Sequence, residues 1–186
     1  MLIRRRNNSG QALAEFALIL PIMLTFVFGI WDFSRAIYDR EVTMNLAGEG
    51  SSLASRSTDT LAQDITAVIT DTGSDISMST HGCVIMTTVT STTSSGKTTY
   101  PITQQATSST CYGSPGSKIG NCTPVSGSCT GKATIPAGLQ TLFTGNPSAT
   151  VYITEVFYAF SPATPIGKFL HDSSVLPSEV YSVAFY

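Results

Sequence analysis

The sequence predicts an α+β protein, with one long N-terminal helix that crosses a membrane and continues into a small antiparallel sheet. Three observations predict this. From Phe16 to Trp31 no residue is charged, and with residues 12–14 the run approaches the ~20 residues a helix needs to span a bilayer. After Gly73 the apolar period changes from helical to alternating, with β-branched and aromatic residues gathered at 84–90, 151–160 and 179–186. Between Ser108 and Gly131 the text is rich in Gly, Ser, Pro and Cys, which reads as an irregular loop stapled by disulfides.

The first helix is apolar all round rather than on one side, which suits lipid better than the core of a soluble domain. Phe16, Leu20, Pro21, Phe26 and Trp31 are taken as marking the anchor. Pro21 lacks an amide donor and should kink the span, freeing the Ala17 carbonyl. Arg4, Arg5 and Arg6 precede the run, whereas Asp32, Arg35, Asp39, Arg40 and Glu41 follow it in mixed sign. The positive-inside tendency then places the N-terminus in the cytoplasm and everything after about residue 32 outside. The expected division is a basic leader at 1–10, a transmembrane helix at 11–31, a helix extension at 32–57 and an extracytoplasmic α+β domain at 58–186.

In the extension, Phe33, Ile37, Met44 and Ala47 keep a helical period, with Asp39, Arg40 and Glu41 facing elsewhere. Gly48 and Gly50 should weaken the helix near its end. A second amphipathic helix is expected at 61–70 through Leu61, Ile65, Val68 and Ile69, with Thr60 and Gln63 spaced as a capping box. The strand at 84–90 is expected to pair with 98–103 across a turn at Ser94-Ser95-Gly96. In the strand at 151–160, Val151, Ile153, Phe157 and Ala159 share one side. Tyr152, Val156, Tyr158 and Phe160 share the other, so both faces should be at least partly covered. A last strand at 179–186 puts Tyr181, Val183 and Phe185 together.

The four cysteines, Cys83, Cys111, Cys122 and Cys129, all follow the span, where disulfides persist. They allow three pairings, and sequence does not choose among them. No CxxC occurs and His81 and His171 stand alone, so neither a metal site nor a cofactor is expected. Charged residues make up 12% of the 186-residue chain and net charge is −2, against a usual charged share of ~25%. No basic patch invites nucleic acid. Ser95-Gly96-Lys97-Thr98 imitates the end of a P-loop, but Ser91 stands where its first glycine belongs. No nucleophile elbow or zincin pair is present, so a catalytic role is not expected.

The carboxylate at the edge of the span carries the functional reading. A charge at the bilayer centre costs roughly 2.5–3.5 kcal/mol on insertion scales, and an ionisable residue there calls for a partner. Cleavage between Gly10 and Gln11 would supply one, because Gln11 gains an α-amine one helical turn, ~6 Å, from Glu15. Gly10-Gln-Ala-Leu-Ala-Glu15-Phe resembles a type IV prepilin processing site, though many mature type IV pilins begin with Phe rather than Gln. The longer Gly10-to-Pro21 stretch resembles TadE-like proteins of the tight-adherence pilus apparatus. So do Phe28-Gly29-Ile30-Trp31-Asp32-Phe33-Ser34-Arg35-Ala36-Ile37-Tyr38, Met44-Asn45-Leu46-Ala47 and Ala54-Ser55-Arg56.

That resemblance implies a pilin-like lollipop fold and a non-catalytic pseudopilin, or minor pilin, in the bacterial inner membrane. Its role would lie in assembly, initiation or anchoring of a tight-adherence (Flp, type IVb-like) pilus. Its partners would be the lipid bilayer, other pilin-like subunits, the assembly machinery and a prepilin peptidase. Glu15 would set helix register by meeting the α-amine of a neighbouring subunit. Alternatives are an unprocessed TadG-like membrane protein, and a membrane-tethered adhesin or binding module using the loop from Cys111 to Cys129. A secretory signal cut after Ala36 is a further one, Ser34-Arg35-Ala36 being a small-x-small site.

Overall fold

The computed structural model describes residues 9–57, 62–94, 96–125, 128–137, 140, 143, 146, 148–173 and 175–186. The chain divides into two compact units. One is Met1–Ile37 with Ser161–Ser178, and the other is Tyr38–Phe160 with Glu179–Tyr186. Helix α1, Ser9–Arg56, contributes to both. At 1.5 Å per residue it is about 70 Å long, more than twice what a bilayer core requires.

In the larger unit an antiparallel sheet has the order β4-β1-β7-β8. Its strands are β1 (Gly82–Thr90), β4 (Ile102–Thr107), β7 (Thr150–Ala159) and β8 (Glu179–Phe185). A long apolar helix and an antiparallel sheet braced by the Cys83–Cys111 disulfide make an α+β, pilin-like fold. Both strands at the centre, β1 and β7, are buried almost throughout, as the apolar residues on both sides of β7 require.

Pairing register assigns the two faces. Cys83 lies opposite Phe157, Ile85 opposite Glu155, Thr87 opposite Ile153 and Val89 opposite Val151. This face is covered by the connection between β4 and β7: Val89, Ile102, Ile119, Ile135, Phe143 and Ile153 form its main apolar cluster. The other face presents Thr154 and Ser182 to α1. There the Thr43 and Ser182 hydroxyls are 3.1 Å apart, and a Cβ on Gly50 would lie 2.7 Å from the Thr154 methyl.

Helix α1 runs to Arg56, and Gly50 lets its backbone approach the Thr154 side chain of β7. The inward side of the helix differs from the one expected. The buried positions of α1 are Asp32, Ala36, Asp39, Thr43, Leu46, Ala47, Gly50, Ser51 and Ala54. They keep the helical period on a stripe that is small or polar except for Leu46, leaving Phe33, Ile37 and Met44 exposed and Asp39 inside. At Thr43 and Gly50, where α1 lies against the sheet, the close approach requires small side chains.

Helix α2 is Ala62–Thr72, with Ala62, Ile65, Thr66 and Ile69 buried and Val68 exposed. Thr60 and Leu61 lie outside the described residues, and with them the capping box. A short 3-10 turn (Gly73–Ile76) and helix α3 (Met78–His81) lead into β1. The expected hairpin is split. Its turn joins β2 (Thr92–Ser94) to β3 (Lys97–Thr99), with Gly96 at a positive φ of 76° and Ser95 outside the described residues. β1 instead pairs with β4, because buried Ser91 turns the chain towards the Ala149 carbonyl at 2.9 Å and Pro101 offers no amide to a ladder.

The disulfides are Cys83–Cys111, from β1 to the loop after β4, and Cys122–Cys129. The latter ties the small hairpin of β5 (Thr123–Val125) and β6 (Ser128–Thr130). The Ser108–Gly131 region is therefore stapled, but Cys111 and Cys129 do not close one loop.

Candidate functional site: the membrane helix and its Asp32 clamp

Gly10 and Gln11 lie in the first turn of α1 as described, and the Gln11 Nε2 donates to Glu15 Oε1 at 3.1 Å. This i,i+4 contact shows Glu15 one turn from residue 11 on the same helix side. Phe16, Leu20, Phe26 and Trp31 are all exposed, and the span's most apolar window has no buried residue. By length and composition α1 can cross a membrane. It continues through Pro21, and the Thr25 hydroxyl donates to the Pro21 carbonyl at 2.8 Å.

One residue beyond the uncharged run, Asp32 is completely buried. Burying a carboxyl is unfavourable unless hydrogen bonds replace its water. The Ala163 amide donates to Oδ1 at 3.0 Å and the Thr164 hydroxyl donates to Oδ2. Thr164 is also the N-cap of helix α4, Pro165–Asp172, and its hydroxyl oxygen accepts from the Gly167 amide at 3.0 Å. Pro165 occupies the first turn, where its missing amide costs nothing. Gly167 faces Asp32 so closely that any Cβ there would overlap the carboxyl.

Neither Asp32 nor α4 stood out in the sequence as a site. A Thr followed by Pro is an N-cap signal, and an acid directly after an apolar run is visible, but their pairing spans 132 positions. Glu155 was missed as well. It is fully buried in β7 and accepts from the Ser117 hydroxyl, the Lys118 amide at 2.8 Å and the Tyr181 hydroxyl at 2.9 Å. Lys118 Nζ lies 4.0 Å from the Tyr181 ring centre. Burial, and then the neighbouring Glu155 carboxyl, push the Tyr181 phenol well above its ordinary range. Such a phenol is a structural donor to Glu155, and Glu155 in turn holds the loop at Ser117 and Lys118.

Residues 10–51 match the family model described as "TadE-like protein". No curated protein and no solved structure matches the chain. The matched residues fall entirely within α1. They include Gly10, Glu15, the exposed apolar run, Asp32 and the small-residue stripe as far as Ser51. The greater part of α1 thus lies in the stretch that matches this family model.

Proposed function

We propose that the protein is a non-catalytic, pseudopilin-type subunit of a tight-adherence pilus system, acting in assembly, initiation or anchoring through helix–helix contact in the bacterial inner membrane. The observation that carries this reading is the TadE-like match at 10–51, lying on a helix with an exposed apolar span and a carboxylate near its start. A prepilin peptidase cuts after Gly10, and the new α-amine of Gln11 meets Glu15 of its own or a neighbouring helix. Residues 11–31 hold the protein in the bilayer, with the leader cytoplasmic and the sheet-bearing unit extracytoplasmic, where its cysteines can oxidise.

The physical logic is selectivity. A buried acid left without its amine disfavours a misplaced neighbour more than the pair stabilises the right one.

The test is the N-terminus of the membrane-extracted protein, mapped by intact mass and terminal peptides with and without the host prepilin peptidase. A start at Gln11 that depends on the enzyme supports the reading. A start at Met1 overturns processing and favours a permanent TadG-like anchor, and a start at Ile37 makes the protein a secreted domain.

A further inference from the structure

We propose that α4 is an interfacial membrane helix, with Phe169, Ile166 and Leu170 entering the leaflet around the distal end of the α1 span. Asp32 fixes it at that depth. The inference rests on the reading of α1 as a membrane anchor.

Four observations within the smaller unit converge on it. Along α4, Ile166, Phe169 and Leu170 fall at i, i+3 and i+4, so they share one arc, while Lys168, His171 and Asp172 occupy the opposite one. Phe169 is 72% exposed, and Val175, just after the helix, is exposed too. Ile166 and Leu170 line an apolar groove of about 460 Å³ with Phe26, Gly29, Ile30 and Phe33 of α1. Phe26, Gly29 and Ile30 belong to the uncharged run, whose most apolar window has no buried residue, and Phe33 lies two residues beyond its end. Finally, Asp32 holds Ala163 and Thr164, so α4 begins beside the residue that ends the apolar run.

A phospholipid leaflet is the occupant these features fit. The groove is continuous with the anchor surface, so acyl chains that surround Phe26 and Ile30 also reach Ile166 and Leu170. Short amphipathic helices bury their apolar face about 5–10 Å into the headgroup–acyl boundary. Trp31, the last residue of the run, sits where aromatic side chains favour that boundary. Lys168, on the opposite arc, is placed to reach lipid phosphates. Free in water, the same arc would leave Phe169 as an unsupported apolar patch against the stem of the anchor.

Trp31 is the sole tryptophan, which gives the experiment an internal ruler. The full chain is placed in phosphatidylcholine–phosphatidylglycerol vesicles, with quenching by brominated acyl chains and by aqueous acrylamide. Wild type reports Trp31, and the double variant W31F/F169W reports position 169. Since Phe169 is exposed, its replacement disturbs no packed interior. The expected result is a blue-shifted F169W emission, lost to bromolipid about as strongly as that of Trp31 and protected from acrylamide. Adding D32A should reduce the bromolipid quenching of the F169W indole.

Acrylamide quenching without bromolipid quenching, while Trp31 responds to bromolipid, overturns the proposal and leaves the anchor standing. Protection from both quenchers means that a second protein helix fills the groove, and it also overturns the proposal. If Trp31 itself ignores bromolipid, the anchor reading fails, and this inference fails with it.

Discussion

The Thr164 hydroxyl serves Asp32 and the Gly167 amide at once, donating to the carboxyl and accepting the amide hydrogen bond at 3.0 Å. One side chain thereby caps α4 and satisfies a buried acid at the end of the apolar run. The arrangement is tight, because Gly167 leaves no space for a methyl group beside the Asp32 carboxyl.

Changing Gly167 to Ala should therefore release α4. Overlap with Asp32 and with Pro162 outweighs the helix propensity gained from Ala, and the net cost should be about 1–3 kcal/mol. Hydrogen exchange at the amides of 163 and 167 reads it directly, with faster exchange in G167A than in wild type. In D32A/G167A the carboxyl obstacle is gone and only the Pro162 contact remains, so the two effects should combine to less than their sum. Wild-type protection in G167A would refute the clamp.

Gly50 makes the parallel argument in the larger unit. G50A drives a methyl to 2.7 Å from the Thr154 side chain, and overpacking of that kind costs about 1–3 kcal/mol. The thermal midpoint should fall by roughly 2–4 °C per kcal/mol for a chain of this size. The Thr154 hydroxyl is buried without a hydrogen-bond partner among the described residues, so T154A removes little and makes room. The G50A/T154A double variant should recover most of the loss in a melting experiment, and equal melting of G50A and wild type would dismiss the close contact.

Tyr181 gives the fold an alkaline limit. Its folded pKa is raised, so the folded state favours the neutral phenol. The resulting stabilisation is fully present below the unfolded value near ~10 and is lost as pH rises towards the higher folded value. Urea midpoints should decline as pH rises above about 10 in wild type and decline less in Y181F. At neutral pH, Y181F should cost about 1 kcal/mol for the hydrogen bond withdrawn from Glu155. Identical alkaline slopes in the two proteins would show that Tyr181 is not responsible.

What was legible in the sequence follows from periodicity. The apolar run, β7 and β8 repeat a single pattern over many residues, and each lies close to where that pattern places it. Interactions set by contacts distant in sequence were not legible. The exposed Met44 and the buried Asp39 exchange the positions that hydrophobicity alone assigns, and the close approach of α1 to the sheet at Gly50 is set by a residue of β7 far away in sequence. Glu155 sits in an apolar strand, and its donors come from 37 and 38 residues upstream and 26 downstream. Only the folded loop brings them together. In the candidate site, the Gly10–Glu15 pattern is local and was visible, whereas the Asp32–Thr164 pair bridges 132 positions.

Glu15 is where local pattern and proposed function meet. It is exposed on α1 beside Gln11, so replacing it removes no internal packing, and E15A makes the span more apolar and should insert normally. What the variant loses is the penalty against neighbours that leave the acid unpaired. A discrimination of ~1.4 kcal/mol corresponds to a tenfold preference, so pilus numbers should drop by roughly tenfold or more while membrane levels stay constant. Electron-microscopic counts against membrane-fraction immunoblots separate the two quantities. E15Q, which keeps the hydrogen-bonding amide but no charge, should resemble E15A if the α-amine is the partner. Normal pilus numbers in E15A would remove the register role and leave Glu15 as a tolerated interfacial carboxylate.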